Sequence, residues 1–167
     1  VRGVDILLMT PYAGEEELGT ILKYDLIAAV GSDDVAVLFS SLSRRMRCRA
    51  RAQLCFDFGM GRFGYSPQEA AKAAQTIKHL ENVELSGVFT VLPEVRRENR
   101  KQLAQQARNF QKALAAVERE GIKPPLIHMA DFHHLADCRE MTTGAVRVSG
   151  DLFGRGPQKE KHGLKKV

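Results

Sequence analysis

Three short segments hold the residues whose types and spacing could do chemistry. The first is Asp57-Phe58-Gly59-Met60-Gly61-Arg62-Phe63-Gly64. Its glycines let the backbone turn sharply and approach a ligand. Arg62 in their midst can meet a carboxylate, phosphate or phenolate; the plainer reading is a glycine-rich turn with a surface arginine. The second is His128-Met129-Ala130-Asp131-Phe132-His133-His134. Three histidines and an aspartate invite a metal. But His133 and His134 are adjacent and point apart on a helix or strand, and no HExxH spacing exists. The closed ligand set that zinc needs does not emerge, so no metal site is expected. His128, at a strand end, reads as a structural partner for another side chain. The third is Ala145-Val146-Arg147-Val148-Ser149-Gly150. An arginine inside an apolar run is costly to bury alone. Arg147 therefore sits in a structural salt bridge or faces a cofactor, and Ser149 and Gly150 just beyond can offer backbone N–H groups to a phosphate.

These segments follow short apolar runs that read as buried strands: Ile6–Met9, Ile27–Val30, Gln53–Phe56, Val83–Leu92, Leu126–Met129 and a stretch within Ala145–Phe153. Helical patterns lie between them. Glu15–Tyr24 has Leu18, Ile21 and Leu22 on one face. A helix over about Asp34–Leu42 is capped by Ser32 or Asp33. Ser66-Pro67-Gln68-Glu69 is a capping box with proline at the first helical position, followed by Ala70, Ala73, Ala74 and Ile77 at helical spacing. A long helix from about Arg97 to Glu120 carries the stripe Leu103, Ala107, Phe110, Leu114 and Val117 and stops at Gly121. Alternation of strand and helix means a parallel sheet covered by helices. An open doubly wound sheet and a closed barrel both fit, and the lack of GxGxxG after a strand takes weight from a dinucleotide fold. In either, ligands sit at the carboxyl ends of the strands, where the three segments fall.

The 167 residues suit one domain with a sizeable core. No apolar run is long enough to span a bilayer, and the start has no signal pattern. Without an initiator Met, the chain is expected to begin inside a longer protein. The net charge is +5, from 25 Lys and Arg against 20 Asp and Glu. The basic runs Arg44–Arg51, Arg96–Lys101 and Lys159–Lys166 lack the aromatics of a nucleic-acid surface and read as solvated faces. No nucleic-acid or membrane partner is expected. Cys48, Cys55 and Cys138 form no CxxC pair, so reduced thiols in a cytoplasmic protein are expected. The Lys-rich tail from Gly156 leads out of the domain.

In this order the segments resemble the barrel domain of the alanine racemase family, fold-type III enzymes that use pyridoxal phosphate. Asp57 to Gly64 resembles D-T-G-M-G-R-x-G. Gly87-Val88-Phe89-Thr90 resembles the strand bearing G-x-x-T-H, Ile127-His128-Met129-Ala130 the opening of H-x-A-N-S, and Val146-Arg147 through Gly154 the pattern V-R-x-G-x-x-x-Y-G. Lys161–Val167 looks like the crossing into the family's C-terminal β-domain. The resemblance covers nearly the whole chain. It implies an α/β fold: a partial TIM (β/α)8 barrel with parallel strands three to eight, strands one and two missing. Residues 1–156 would be the incomplete cofactor-binding barrel domain and 157–167 the start of the crossing. A six-strand arc has two open edges, which invites association of the isolated chain.

The resemblance also implies roles. Arg147 matches the arginine facing the pyridine nitrogen, where a cation keeps that nitrogen unprotonated and weakens the electron sink. His128 matches the histidine supporting it, Arg62 the arginine near the phenolic oxygen and the substrate carboxylate, and Ser149 and Gly150 the amides that hold the phosphate. Asp131-Phe132 stands where the family has Asn-Ser, the Ser hydroxyl normally binding phosphate; an aspartate beside a dianion repels it unless protonated or turned away. Val91 replaces a histidine that packs on the ring, and Cys55 an often carbamylated lysine that orients Arg62. The family's cofactor-bearing lysine belongs to strand one, and its catalytic tyrosine to the β-domain of a homodimer partner. No catalytic residue is therefore expected in this chain. The implied function is a pyridoxal-phosphate-dependent amino-acid racemase, its small-molecule partner an amino acid. The alternatives are a pyridoxal-phosphate carrier or homeostasis protein of the same barrel fold, or a degenerate non-catalytic binding module.

Overall fold

The structure, a computed structural model, describes residues 3–93, 99–131 and 143–153. Six strands form one sheet in chain order: β1 (Leu7–Leu8), β2 (Ile27–Val30), β3 (Ala50–Phe56), β4 (Val83–Thr90), β5 (Ile127–Asp131) and β6 (Ala145–Arg147). Every neighbouring pair is parallel. Among the described residues, four α-helices lie between them: α1 (Glu15–Lys23), α2 (Asp33–Met46), α3 (Ala70–His79) and α4 (Arg100–Arg119).

The apolar stripes of the helices decide the architecture. Leu18 and Ile21 of α1, Phe39 of α2, Ala73 and Ala74 of α3 and Phe110 of α4 pack against Ala28, Leu54, Val88 and Met129 of the sheet. Alternate residues point the other way: Ala29, Cys55 and Phe89 form a second cluster with Leu7, Met9, Phe63 and Val91. Among the described residues no helix covers this second face. Helices on one face and strands in unbroken order make a curled half-barrel, not a doubly wound sheet, whose order reverses and whose helices lie on both sides.

Several boundaries differ from the sequence expectation. β1 is shorter than Ile6–Met9, and β3 begins three residues earlier, at Ala50. α2 runs past Leu42 to Met46 because Ser43 is buried and its hydroxyl donates to the Cys48 carbonyl at 2.6 Å. The helix is closed by Arg47 in a left-handed conformation, φ 54°. Its cap is Ser32, whose Oγ accepts from the Val35 amide at 3.4 Å. β5 extends through Asp131, so that residue belongs to the strand and not to the loop after it. β6 ends at Arg147, and the chain turns into a short 3-10 helix, Gly150–Phe153. The helix expected from Arg97 begins at Arg100. The Ser66–Glu69 box forms: the Glu69 carboxylate accepts from the Ser66 amide at 2.8 Å and from its hydroxyl at 2.7 Å. Phe132, His133, His134, Cys138 and the tail from Gly154 lie outside the described residues.

Candidate functional site

The glycine-rich segment forms a loop tied down by its own aspartate. Asp57 accepts from the amides of Gly59 and Met60, each at 2.8 Å, and of Arg62 at 2.9 Å. The loop then folds back on β3, Tyr65 donating its amide to the Cys55 carbonyl and accepting from the Asp57 amide, both at 2.9 Å. Gly64 makes the return possible. Its φ is 118°, and a Cβ there would lie 2.8 Å from the Asp57 nitrogen, closer than atoms approach without displacement. Farther on, the Tyr65 hydroxyl donates to Asp33 at 3.1 Å, as does Thr76 at 3.0 Å, while Lys72 pairs with the same carboxylate at 2.7 Å. The loop is thereby anchored to α2 and α3, with Arg62 exposed on its rim. Arg62 lines a small cleft with Cys55, Asp57, Phe63 and Val91.

On the uncovered face of the sheet, three polar side chains join in a line across β3, β5 and β6. His128, 4% exposed, places Nε2 at 2.9 Å from the Gln53 Oε1 and Nδ1 at 2.8 Å from the Arg147 Nη1. A guanidinium only donates, so Nδ1 is the acceptor. The remaining proton is then on Nε2 and points at the Gln53 carbonyl. Burial, with Arg147 beside it, lowers the His128 pKa to about 4, so the imidazole is neutral at physiological pH. Its ring stacks on Phe89 with centroids 5.0 Å apart and planes 4° from parallel. Arg147 is half-buried and donates further to the Met129 carbonyl at 2.7 Å. Burial draws its pKa downward, which Asp131 partly offsets. Arg147 remains a cation.

Gln53 and His128 stand on strands separated by β4, and their contact depends on local features there. The β3–β4 register shifts between Ala52 and Gln53, which places Gln53 level with Gly87. A Cβ at Gly87 would come within 3.0 Å of the Gln53 Cδ and 2.6 Å of the Leu126 carbonyl. The amide therefore crosses β4 over the glycine.

Of the residues singled out in the sequence, the structure brings together His128, Arg147 and Asp131, the last paired in register with Arg147 across β5 and β6. Ser149 and Gly150 follow β6 directly, and the Ser149 carbonyl accepts from Leu152 at 3.1 Å. Arg62 stands apart on its rim, above Cys55. The Cys55 thiol is 1% exposed; burial and the Asp57 carboxylate push its pKa up to about 12, with Arg147 acting in the opposite sense. It is neutral and adds to an apolar floor with Ala29 and Phe89. Sequence reasoning missed Gln53, Phe89 as a stacking surface, and Gly87. The available signal was a glutamine heading the apolar run Leu54–Phe56, which needs a partner once buried.

The arrangement can present a fixed cation to an acceptor atom over an apolar floor. A second, exposed arginine lies at the rim and backbone amides lie beyond β6.

The family model for the alanine racemase N-terminal domain matches residues 2–155. The alanine racemase of Treponema denticola is 30% identical over 152 residues, covering 89% of this chain and 40% of that protein. That of Methanococcus maripaludis is 24% identical, covering 93% and 42%. The chain thus spans about two fifths of the length of these curated relatives. Among solved structures, alanine racemase from Clostridium difficile superposes with a TM-score of 0.85 at 24% identity, over 98% of this chain and 44% of that one. A histidine racemase from Leuconostoc mesenteroides shares the fold, with a TM-score of 0.78 at 15% identity over 90% and 40%.

Proposed function

We propose, from the premise that this chain belongs to the alanine racemase family, that it is the cofactor-holding part of a pyridoxal-phosphate-dependent amino-acid racemase. The observation that carries this reading is Arg147. It is a half-buried guanidinium at the carboxyl end of a parallel strand, held by a neutral histidine and a backbone carbonyl. Such a group fits an aromatic nitrogen that accepts a hydrogen bond and carries no proton. The apolar floor of Cys55, Phe89 and Val91 suits the face of a flat ring, and the amides of Ser149 and Gly150 suit a phosphate. When bound, pyridoxal phosphate supplies an electron sink that makes the α-hydrogen of an attached amino acid removable.

This chain's residues then have defined tasks. Arg147 donates to the ring nitrogen and holds it unprotonated, which restrains the sink and favours return of the proton over side reactions. His128 keeps Arg147 in place by accepting from it. Arg62 meets the substrate carboxylate at the rim. The groups that move the α-proton, a lysine and a partner subunit's tyrosine by family resemblance, come from outside this chain. On this reading residues 1–156 are the barrel part and 157–167 begin the crossing to a further domain. The whole protein is a cytoplasmic homodimer that takes a free amino acid as its small-molecule substrate.

Asp131, level with Arg147, favours a second reading: a protein of this fold that holds the cofactor weakly, without turnover. One experiment separates the two. The full-length protein is incubated with pyridoxal phosphate and its absorbance recorded before and after borohydride. Exchange of α-hydrogen is then followed in deuterated water with common amino acids, alanine and histidine included. A borohydride-sensitive band with exchange supports the racemase. A band without exchange for any amino acid supports the holding protein, and no band at all rejects both.

A further inference from the structure

We propose that Gln53 is a positioning residue for Arg147 that acts through His128, its uncharged carbonyl taking the Nε2 proton so that Nδ1 stays bare for the guanidinium. Three features of the chain serve this one contact. The glutamine heads the buried, apolar end of β3, followed by Leu54, Cys55 and Phe56, and is itself 2% exposed. The β3–β4 register shift sets it level with position 87. That position is glycine, where a Cβ would press on the glutamine's Cδ at 3.0 Å as well as on the Leu126 carbonyl at 2.6 Å. A structural glutamine needs only some partner; this one is given a cleared path across a whole strand to a histidine that itself touches Arg147.

The absence of charge on Gln53 matters as much as its reach. A doubly protonated imidazole has no lone pair for Arg147 and would repel it. Two features of its surroundings oppose that state: the ring is buried, and Arg147 on β6 is a cation that resists a second positive charge. Asp131 is the carboxylate on the histidine's own strand, and it lies level with Arg147. A carboxylate at position 53 would be the first placed directly on Nε2, and it would stabilise the protonated ring. The inference about His128 and Arg147 stands on this geometry. Its consequence for pyridoxal phosphate rests on the function proposed above.

The test uses the full-length protein labelled with ¹⁵N at histidine, the His128 signal being identified by its loss in His128→Asn. In the wild type, Nε2 is protonated and Nδ1 bare throughout the neutral range. Gln53→Glu, nearly the same shape, is expected to raise the His128 pKa from about 4 to above ~6. A His128 that stays neutral in this variant down to pH 5 overturns the proposal. Gln53→Leu offers no acceptor, and it keeps the test open if the glutamate variant does not fold. It should let His128 sample both tautomers and weaken pyridoxal phosphate binding by roughly tenfold. A single Nε2–H tautomer with unchanged affinity also overturns it. If His128 titrates as expected in Gln53→Glu but cofactor retention does not follow that titration, the positioning role stands and the assignment of Arg147 to the cofactor falls.

Discussion

Replacing His128 with phenylalanine separates the chemistry of the imidazole from its shape. The ring and its stack on Phe89 survive, but the acceptor for Arg147 and the donor to Gln53 are lost. Removing a charge-assisted bond and leaving the buried Gln53 carbonyl unpaired costs about 3 kcal/mol at neutral pH, because Arg147 keeps its bond to the Met129 carbonyl. Proton linkage sets how much of the wild-type advantage is lost in acid. The His128 pKa is lowered from 6.5 to about 4, and the difference between the two values is worth about 3 kcal/mol. Because the folded value lies below the unfolded one, the unfolded chain takes the proton first. Stability from this residue is therefore complete above pH ~6.5 and lost as pH falls towards ~4. Urea unfolding of the full-length wild type and His128→Phe, at intervals from pH 7.5 to 4.5, should show a gap of about 3 kcal/mol at the upper end. The curves should converge at the lower end. Every other titrating group is common to both proteins, so the difference isolates this one. Parallel curves across the range would refute a buried, neutral His128.

Three further outcomes follow from the site. Gly64→Ala forces a Cβ to within 2.8 Å of backbone atoms at φ 118°, and should destabilise by more than about 3 kcal/mol, read as a large fall in Tm or loss of soluble protein. Asp131→Asn removes a negative charge level with Arg147, and should tighten pyridoxal phosphate binding by roughly tenfold; equilibrium dialysis showing weaker binding would contradict the proposed phosphate position. The Cys55 thiol, buried and with its pKa near 12, should resist iodoacetamide at pH 8 in the folded protein, whereas the partly exposed Cys48 reacts. Mass spectrometry of timed samples distinguishes them.

The outline of the fold was legible because its signals are local. Apolar runs marked the strands, and the Ser66–Glu69 box marked the start of the helical turn before α3. The strand ends were less legible: Ala50 and Arg51 close a basic run and do not read as strand, yet they pair with Val83 and Glu84. Asp131 looks like a loop residue until the register with Arg147 is known. Within the site, Arg147 and His128 stood out because a charge in an apolar strand demands a partner. The identity of that partner was half legible, since resemblance linked the two. Gln53 was not, because its partner lies 75 residues away and the contact requires both a register shift and a glycine on the strand between. No local pattern encodes that coincidence. The closed loop was foreseen only as flexibility of glycine; that Asp57 would capture three amides depends on the loop's final shape.

The unbroken strand order has a consequence for how such a sheet comes into being. Each strand hydrogen-bonds to the one made just before it, so none of the pairings within this sheet must wait for a distant piece of chain. As the polypeptide emerges from the ribosome, each new strand–helix unit meets a finished template, and assembly proceeds as growth at one end without late rearrangement. The line from Gln53 to Arg147 spans four neighbouring strands of this sheet, β3 to β6. It is therefore completed only when β6 docks, and Arg147 serves as the closing stitch that reports β3 to β6 in register.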